Sequence, residues 1–443
     1  MPGKLQEINS GMKKVLIITY YWPPSGGGGV MRWLKMSKFL PELGWQPIIY
    51  TPENPDPSIS DESLVTEIHK DIIELKTPIW EPYNIYRKLT GKKGDAKFKA
   101  GYISEASSGN WKSKLSVFVR GNFLIPDPRK FWIRPSVKYL TKYLKENRVD
   151  LIISTGPPHS MHLIALGLKK KFDIPWIADF RDPWTDIDFY DKLKLTKWAD
   201  KKHRKLERKV LTQADHVVTV SPGCATDLAK INSKKVEVIN NGYDPLDYNF
   251  EGNELDKNFS ISHFGAFNKD RNPKILWKVL GELAGRSDEF KKLLRIQLIG
   301  QTDKSVLDEI KKNNLSGNLI LIEHLPHKEG LIQLGKSQVL LLPLNDASNV
   351  KGILPGKMYE YMALKRPIFA IGPADADADF AKILAETNSG ISIDFNDAAK
   401  MKSTIENYFN SFKNNKLAVK SNSYEKYSRK NLAKNFIDLI SEK

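Results

Sequence analysis

Short apolar runs rich in β-branched residues recur along this chain, separated by stretches in which apolar positions follow helical spacing. Lys13 to Tyr20 is the first run; a Gly-rich turn follows, then a helical pattern through Trp33, Leu34, Met36, Phe39, Leu40 and Leu43 that stops at Gly44. Gln46 to Tyr50 and Ile72 to Leu75 read as further buried strands, with a helical Glu62 to Lys70 between them. Such alternation builds a parallel sheet with helices on its faces. Residues 76 to 135 interrupt it with Pro, Gly, Lys, Ser and scattered aromatics, an excursion long enough to be functional or mobile. The pattern resumes with a helix over Ser136 to Asn147, a strand over Asp150 to Ser154, a helix over Ser160 to Phe172, a strand over Pro175 to Phe180, a basic helix over Lys197 to Leu211 and a strand over His216 to Val220.

A second round begins after VEVINNGYD, Val236 to Asp244, whose Asn-Asn-Gly is a turn signal. Strands are expected at Ile261 to Phe264, Arg295 to Ile299, Leu319 to Ile322, Val339 to Leu342, Pro367 to Ile371 and Gly390 to Ile393. The chain has 443 residues, more than the roughly 250–300 over which one core keeps growing. The expected division is therefore an N-terminal domain over 1–234, a C-terminal domain over 235–420, and a helix within 421–443 that packs back on the N-terminal domain.

The formal net charge is +17, and residues 86 to 148 hold 16 Lys and Arg against four Asp and Glu. A field of one sign suits an anionic partner: a phosphorylated lipid, an anionic membrane, a sugar nucleotide or nucleic acid. A solvated basic face kept for solubility is the plain alternative. A lone cysteine, Cys224, makes no internal disulfide and reads as packing; the opening MPGKLQEINSGMKK lacks the apolar core of a secretory signal. A cytoplasmic location is expected, with a peripheral place on the inner membrane face if the basic stretch meets lipid.

Four motifs carry chemistry. In SGGGGV, Ser25 to Val30, glycines let the backbone approach a ligand, and the following helix offers free N–H groups to phosphate. It has neither the GxGxxG of a dinucleotide fold nor the GK[ST] of a Walker loop. STGPPHSMH, Ser154 to His162, and IADFRDPWTD, Ile177 to Asp186, sit at the carboxyl ends of strands, where open α/β sheets bind ligands. His159, Asp179, Arg181 and Asp182 are candidates there, although an Arg-Asp pair is also the pattern of a structural ion pair. HFGAFNKDRNP, His263 to Pro273, places Lys269 and Arg271 after Gly265, where diphosphate oxygens can be held or where a surface loop can simply turn. Finally, VKGILPGKMYEYMALKRPI, Val350 to Ile368, opens a helix with a basic turn; Lys357 can neutralise phosphate, and the Glu360 carboxylate can accept two ribose hydroxyl protons.

Together these motifs resemble the retaining glycosyltransferases of family four, which have the α/β GT-B fold of two doubly wound Rossmann-like domains facing a cleft. PGKMYEYMALKRPI is similar to the family's ribose-binding helix, and NNGYD to its interdomain Asn-Gly-Val-Asp. The resemblance implies a nucleotide-diphosphate sugar as donor, no metal and no cofactor, and a role in cell-surface polysaccharide or glycolipid assembly. It implies that Glu360 binds ribose; that Lys357, Arg271 and the amides of Ile353 and Leu354 hold the diphosphate; that Gly28 and Gly29 close on it; and that His324 and Leu325 flank the base. The family's polar catalytic residue falls near Arg181 or Asp182. Two departures stand out: the position eight residues before Glu360, where the family carries a glutamate, is Gly352, and Ala266 and Phe267 follow Gly265 where the family has arginine, leaving Lys269 or Arg271 to compensate.

The acceptor is expected to be a glycan or a polyprenyl-phosphate-linked molecule, because Trp, Tyr, Phe and cations interleave over 76 to 135; Lys92, Lys93, Arg129 and Lys130 are the cations expected to face an anionic membrane. A sugar-nucleotide epimerase of similar architecture and a basic nucleic-acid-binding protein are the rival readings, the second disfavoured by two phosphate-type loops, so no nucleic acid is expected.

Overall fold

The computed structural model describes residues 11–56, 59–82, 111–187, 190–232, 234–248, 254–323, 325–346, 352, 354–374 and 378–441. It falls into two compact units, one of Met1–Asn240 with Leu432–Lys443, the other of Asn241–Asn431.

The first unit holds strands β1 (Lys13–Ile18), β2 (Trp45–Pro52), β3 (Ile73–Thr77), β4 (Leu151–Gly156), β5 (Trp176–Phe180), β6 (His216–Thr219) and β7 (Glu237–Val238). All pair in parallel, in the order β3-β2-β1-β4-β5-β6-β7. Side chains alternate across a strand, and here the alternation sorts two cores. Leu16, Ile18, Ile152, Ala178 and Phe180 face one layer, whereas Val15, Ile17, Leu151, Ile153 and Ile177 face the other. Helices α1 (Gly28–Ser37), α2 (Trp111–Phe123), α3 (Lys130–Glu146), α4 (Ser160–Lys169), α5 (Lys197–Gln213) and α6 (Pro222–Asn232) accompany the sheet. Leu140 and Leu144 of α3, Ile164 and Leu168 of α4 and Val210 and Leu211 of α5 fill the first core. Trp33, Leu34 and Met36 of α1, joined by Leu432, Ala433, Phe436 and Ile437 from the end of the chain, fill the second.

Two local expectations change. The helix expected over Glu62 to Lys70 is a 3-10 turn, Glu62–Glu67, capped by the Asp61 carboxylate on Ser63 N–H at 3.1 Å. Helix α3 starts at Lys130 and runs through Pro135; a proline removes one backbone donor, and the buried Trp132 one turn earlier anchors the segment against Tyr50, ring centroids 4.8 Å apart.

The second unit repeats the plan. Strands β8 (Phe259–Phe264), β9 (Leu294–Ile299), β10 (Leu319–Ile322), β11 (Val339–Pro343), β12 (Ile368–Ile371) and β13 (Gly390–Ile393) form a parallel sheet in the order β10-β9-β8-β11-β12-β13. Its helices are α7 (Lys274–Arg286), α8 (Asp288–Leu293), α9 (Lys304–Lys312), α10 (His327–Gly335), α11 (Gly356–Ala363), α12 (Asp379–Glu386) and α13 (Ala398–Lys413). A last helix, α14 (Arg429–Asp438), carries the chain back into the first unit, so the helix expected within 421–443 is a 3-10 turn, Tyr424–Tyr427, followed by α14. Both sheets have the strand order of a Rossmann fold and reverse direction beside their first strand, between β1 and β4 and between β8 and β11.

Candidate functional site

At such a switch point two loops diverge from the carboxyl ends of neighbouring strands and leave a crevice. In the first unit these are the loop from β1 into α1 and the loop from β4 into α4. Gly28 and Gly29 open α1, whose N-cap residue, Gly27, provides no side-chain cap. A Cβ on Gly29 would stand 3.0 Å from the Tyr21 ring and 3.2 Å from Arg181 Nη1, so a side chain there would press on both.

Arg181 fixes both loops. Its Nη1 donates to the Gly29 carbonyl at 2.7 Å, its Nε to Gly156 O at 3.4 Å, and its Nη2 to Pro157 O. The guanidinium expected to meet substrate thus donates to three carbonyls and braces both loops, with one N–H left on each of Nη1 and Nη2. Asp179 departs further from the open-crevice expectation. It is fully buried, receives Arg32 Nε and Nη2 at 3.0 Å each, and also accepts from Trp33 Nε1 and Thr155 Oγ1 at 2.9 Å. Burial alone would raise its pKa; Arg32, Trp33 and Arg181 outweigh this and hold it below the usual carboxylate value. Asp179 is therefore the structural ion pair, and Asp182, three residues on and exposed, is the carboxylate at the mouth of the loop.

His159 lies flat on Trp184, ring centroids 4.7 Å apart. Burial, reinforced by His162, Arg181 and His203, drives its pKa well below the usual 6.5. Its Nδ1 is buried without a hydrogen-bond partner. Trp184 is itself held by α5: its Nε1 donates to His203 Nδ1 at 3.0 Å, and its backbone N–H donates to Glu207 at 3.2 Å. Because His203 Nδ1 accepts, Nε2 carries the proton and donates to Gly121 O at 3.3 Å. Sequence reading missed Arg32, Trp184, His203 and Glu207. For Glu207 a signal existed: it shares the buried face of α5 with Ala199, His203 and Val210, at helical spacing.

In the second unit the β8 and β11 ends supply the crevice. Gly265 has φ +100°, and a Cβ there would fall 2.5 Å from Lys357 Nζ: the ammonium lies directly over the glycine. Lys357 stands in the first turn of α11, whose N-cap residue, Pro355, offers no side-chain cap. Its Nζ is 3.4 Å from His263 Nε2, while His263 Nδ1 donates to Leu341 O at 3.0 Å. Burial, then Lys357, push His263 well below its ordinary pKa, so the imidazole is neutral and offers the lysine its lone pair. Lys357 is in turn pushed down to about 8 by burial and by Arg271. Arg271 donates from Nε to Asn345 Oδ1 at 2.8 Å, a bond that joins the β8 and β11 loops.

Of the two cations after Gly265, Arg271 is the one brought to Lys357. Lys269 is exposed and lies near Asp303, whose pKa it helps to lower. Glu360, one turn into α11, pairs with His327 Nε2 at 3.1 Å from its Oε1. Its charge helps raise the pKa of Tyr248, an effect that follows burial in size. The Leu354 side chain is packed into the core around Met358 and Tyr359; Leu325 is half-buried. His324 and Ile353 lie outside the described residues, and Gly352 is described without a side chain to contribute.

Residues 102–245 match the model of Glycosyltransferase Family 4, about a third of the chain. Solved structures resemble it over nearly its whole length. A glycosyltransferase from Rickettsia africae aligns with a TM-score of 0.59 at 14% identity, covering 97% of this chain and 98% of that one. Sucrose-phosphate synthase from Thermosynechococcus elongatus gives 0.58 at 12%, covering 97% and 98%. TarM of S. aureus, solved with fondaparinux, α-GlcNAc-glycerol and UDP, gives 0.57 at 11%, covering 97% and 100%. No curated protein matches in sequence. At these identities the likeness is one of fold, and with the two Rossmann-like sheets it makes this chain a GT-B protein.

Proposed function

We propose that this chain is a glycosyltransferase that moves a sugar from a nucleotide-diphosphate sugar to an acceptor hydroxyl with retention of anomeric configuration. One observation carries the reading: at the switch point of the second unit, Lys357 lies over Gly265, its pKa lowered by burial and then by Arg271, at the start of a helix without a side-chain cap. Two cations that repel each other in a half-buried crevice are stabilised by a bound dianion, and the helix N-terminus adds its own positive end. The match to Glycosyltransferase Family 4 supports the same class of activity.

In this reading Lys357, Arg271 and the first amides of α11 hold the diphosphate, and Glu360 accepts from the ribose hydroxyls, with His327 orienting its carboxylate. These fixed charges stabilise the leaving diphosphate, the task a divalent cation would otherwise perform. The leaving group takes the acceptor's proton, so the protein positions groups instead of supplying a nucleophile. In the first unit the exposed Asp182 orients the acceptor hydroxyl, and the buried Nδ1 of His159 joins it only when the loop around Gly156 yields. The acceptor is a glycan or a polyprenyl-phosphate-linked molecule, the setting is surface polysaccharide or glycolipid assembly, and the location is cytoplasmic.

Thermal-shift and calorimetric titration with UDP, GDP and ADP, followed by product analysis with each cognate sugar nucleotide in the presence of chelator, tests this. One nucleoside diphosphate should bind and raise the melting temperature, and transfer should survive chelation. An epimerised sugar nucleotide formed without acceptor would replace the transferase reading, and tight nucleic-acid binding with no nucleotide response would end it.

A further inference from the structure

Among the described residues of the first unit, most exposed large apolar side chains gather in one neighbourhood, with Ile59, Val65 and Val238 exposed apart from it. Leu115, Phe118, Val119 and Phe123 recur at i, i+3, i+4 and i+8 along α2, and they are 50, 36, 40 and 62% exposed. Helical spacing puts them on one face. The Phe118 and Phe123 rings are 6.4 Å apart. From Phe123 a chain of contacts leads on: its carbonyl accepts from the half-buried Lys130 Nζ at 2.7 Å, Lys130 lies 5.3 Å from the Phe131 ring centroid, and Phe131 meets Trp80 edge-on at 4.8 Å. On the other side Lys202 sits 4.7 Å from the ring centroid of Trp198, itself 61% exposed, and is close enough to Lys130 to contribute to its lowered pKa, after burial.

We propose that this surface seats the first unit on an anionic lipid bilayer. Rings interleaved with lysines suit the headgroup level, where aromatic bodies bury and ammonium groups meet lipid phosphate. A protein partner fits less well, because lysine is depleted from the cores of protein interfaces. Single-stranded nucleic acid fits less well too, because Leu115 and Val119, which form the same stripe, offer no stacking face. Of the cations expected from sequence to face a membrane, Lys130 belongs to this surface. Arg129 does not: it is buried, 3.0 Å from Glu81, with its guanidinium 4.4 Å from the Tyr20 ring centroid. Lys92 and Lys93 lie outside the described residues.

Placement gives the surface a purpose. Trp80 follows β3, Phe131 and Trp198 stand in the first turns of α3 and α5, and all three therefore border the carboxyl edge of the sheet, where His159 and Asp182 lie. The segment between α2 and α3 is tied to that edge directly: Asp127 accepts from Ser160 N–H at 2.8 Å and from Ser160 Oγ at 2.9 Å, next to His159. Resting on the transferase reading, the acceptor is then an amphiphile with an anionic head group, presented from the bilayer to this edge.

Flotation of the full chain with phosphatidylcholine vesicles, with and without one third phosphatidylglycerol, tests the surface without requiring catalysis. The chain should float with the anionic vesicles only, and added salt should weaken the association. Lys202→Glu should lower the vesicle partition coefficient by about fivefold or more, and the double variant Phe123→Ser, Phe131→Ser by about tenfold or more. Melting temperature and nucleoside-diphosphate binding should stay at wild-type values, which separates failure of this surface from failure of the enzyme reading. Undiminished flotation in both variants, no flotation of the wild type at low salt, or RNA binding that the phenylalanine variants abolish would each overturn the proposal.

Discussion

Lys357 offers the sharpest test of the anion site, because its charge should be set by the ligand. Its pKa is pushed down to about 8, by burial first and then by Arg271. A diphosphate placed against Nζ restores the charged form, so binding takes up a proton whenever the free lysine has lost one. The sign follows: affinity is full below pH 8 and is lost as pH rises through it. A group with a pKa of about 8 is roughly nine-tenths protonated at pH 7 and roughly one-tenth at pH 9, which makes the loss about tenfold, or about 1.4 kcal/mol. The phosphate's own second ionisation, near 6, is nearly complete above pH 7 and adds little. Calorimetry with the nucleoside diphosphate that binds, run from pH 7 to 9.5 in buffers of different ionisation enthalpy, should show proton uptake rising through pH 8. Lys357→Arg keeps a charge that does not titrate here and should flatten the profile, and Lys357→Met should be flat and weak. A wild-type affinity that is strong and level from pH 7 to 9.5 would refute the placement of the diphosphate on Lys357.

Other perturbations separate neighbouring groups. Glu360→Ala should weaken nucleoside-diphosphate binding by about tenfold to a hundredfold, the worth of one or two charged hydrogen bonds, and leave inorganic pyrophosphate binding unchanged; equal losses for both ligands would place Glu360 on the phosphates instead. Asp179→Ala leaves Arg32 buried without its carboxylate and should cost about 3–5 kcal/mol in urea unfolding, whereas Asp182→Asn, which removes one of the charges that favour the Arg181 cation, should cost far less and mainly lower turnover. His162, fully buried and pushed down to about 3 chiefly by burial, stabilises the fold above the ordinary histidine pKa of 6.5 and loses that contribution as pH falls. Between pH 6.5 and 5 the loss is about 2 kcal/mol, and His162→Phe should remove that part of the slope in chemical denaturation.

The sheets were legible because a buried parallel strand announces itself as a short apolar run, and runs such as VLII, LIIS and VLLL kept that character in the fold. Register within the site was harder. Asp179 and Asp182 sit three residues apart in one motif, yet Asp179 belongs to β5 and points into Arg32, while Asp182 lies beyond the strand end. A count of residues to the end of the apolar run IADF separates them; charge alone does not. Lys269 and Arg271 pose the same difficulty in a loop, where no periodicity says which side chain turns inward. The partner that decides it, Asn345, is 74 positions away. Arg32 had no local signal at all, since its burial depends on the carbonyls of Ile239 and Asn240, more than 200 residues downstream.

The buried histidines also bear on where a proton can go. A neutral imidazole accepts a proton readily only if its pKa lies near the working pH, and burial takes both His159 and His162 far below that. Once the loop that buries it yields, the unpartnered Nδ1 of His159 can accept a hydrogen bond from an acceptor hydroxyl and fix its direction, but it is a poor resting place for the proton itself. In the second unit Lys357 and Arg271 stabilise negative charge on a diphosphate and so favour its departure as an anion. A phosphate oxygen of that leaving group is the stronger base of the two. Acceptor orientation in one unit and leaving-group charge in the other are thus separable, and His159→Asn, which keeps a hydrogen-bonding side chain but not a titrating one, should raise the acceptor KM without shifting the pH profile of kcat. A kcat profile whose acid limb disappears in that variant would make His159 the base and remove the leaving group from that role.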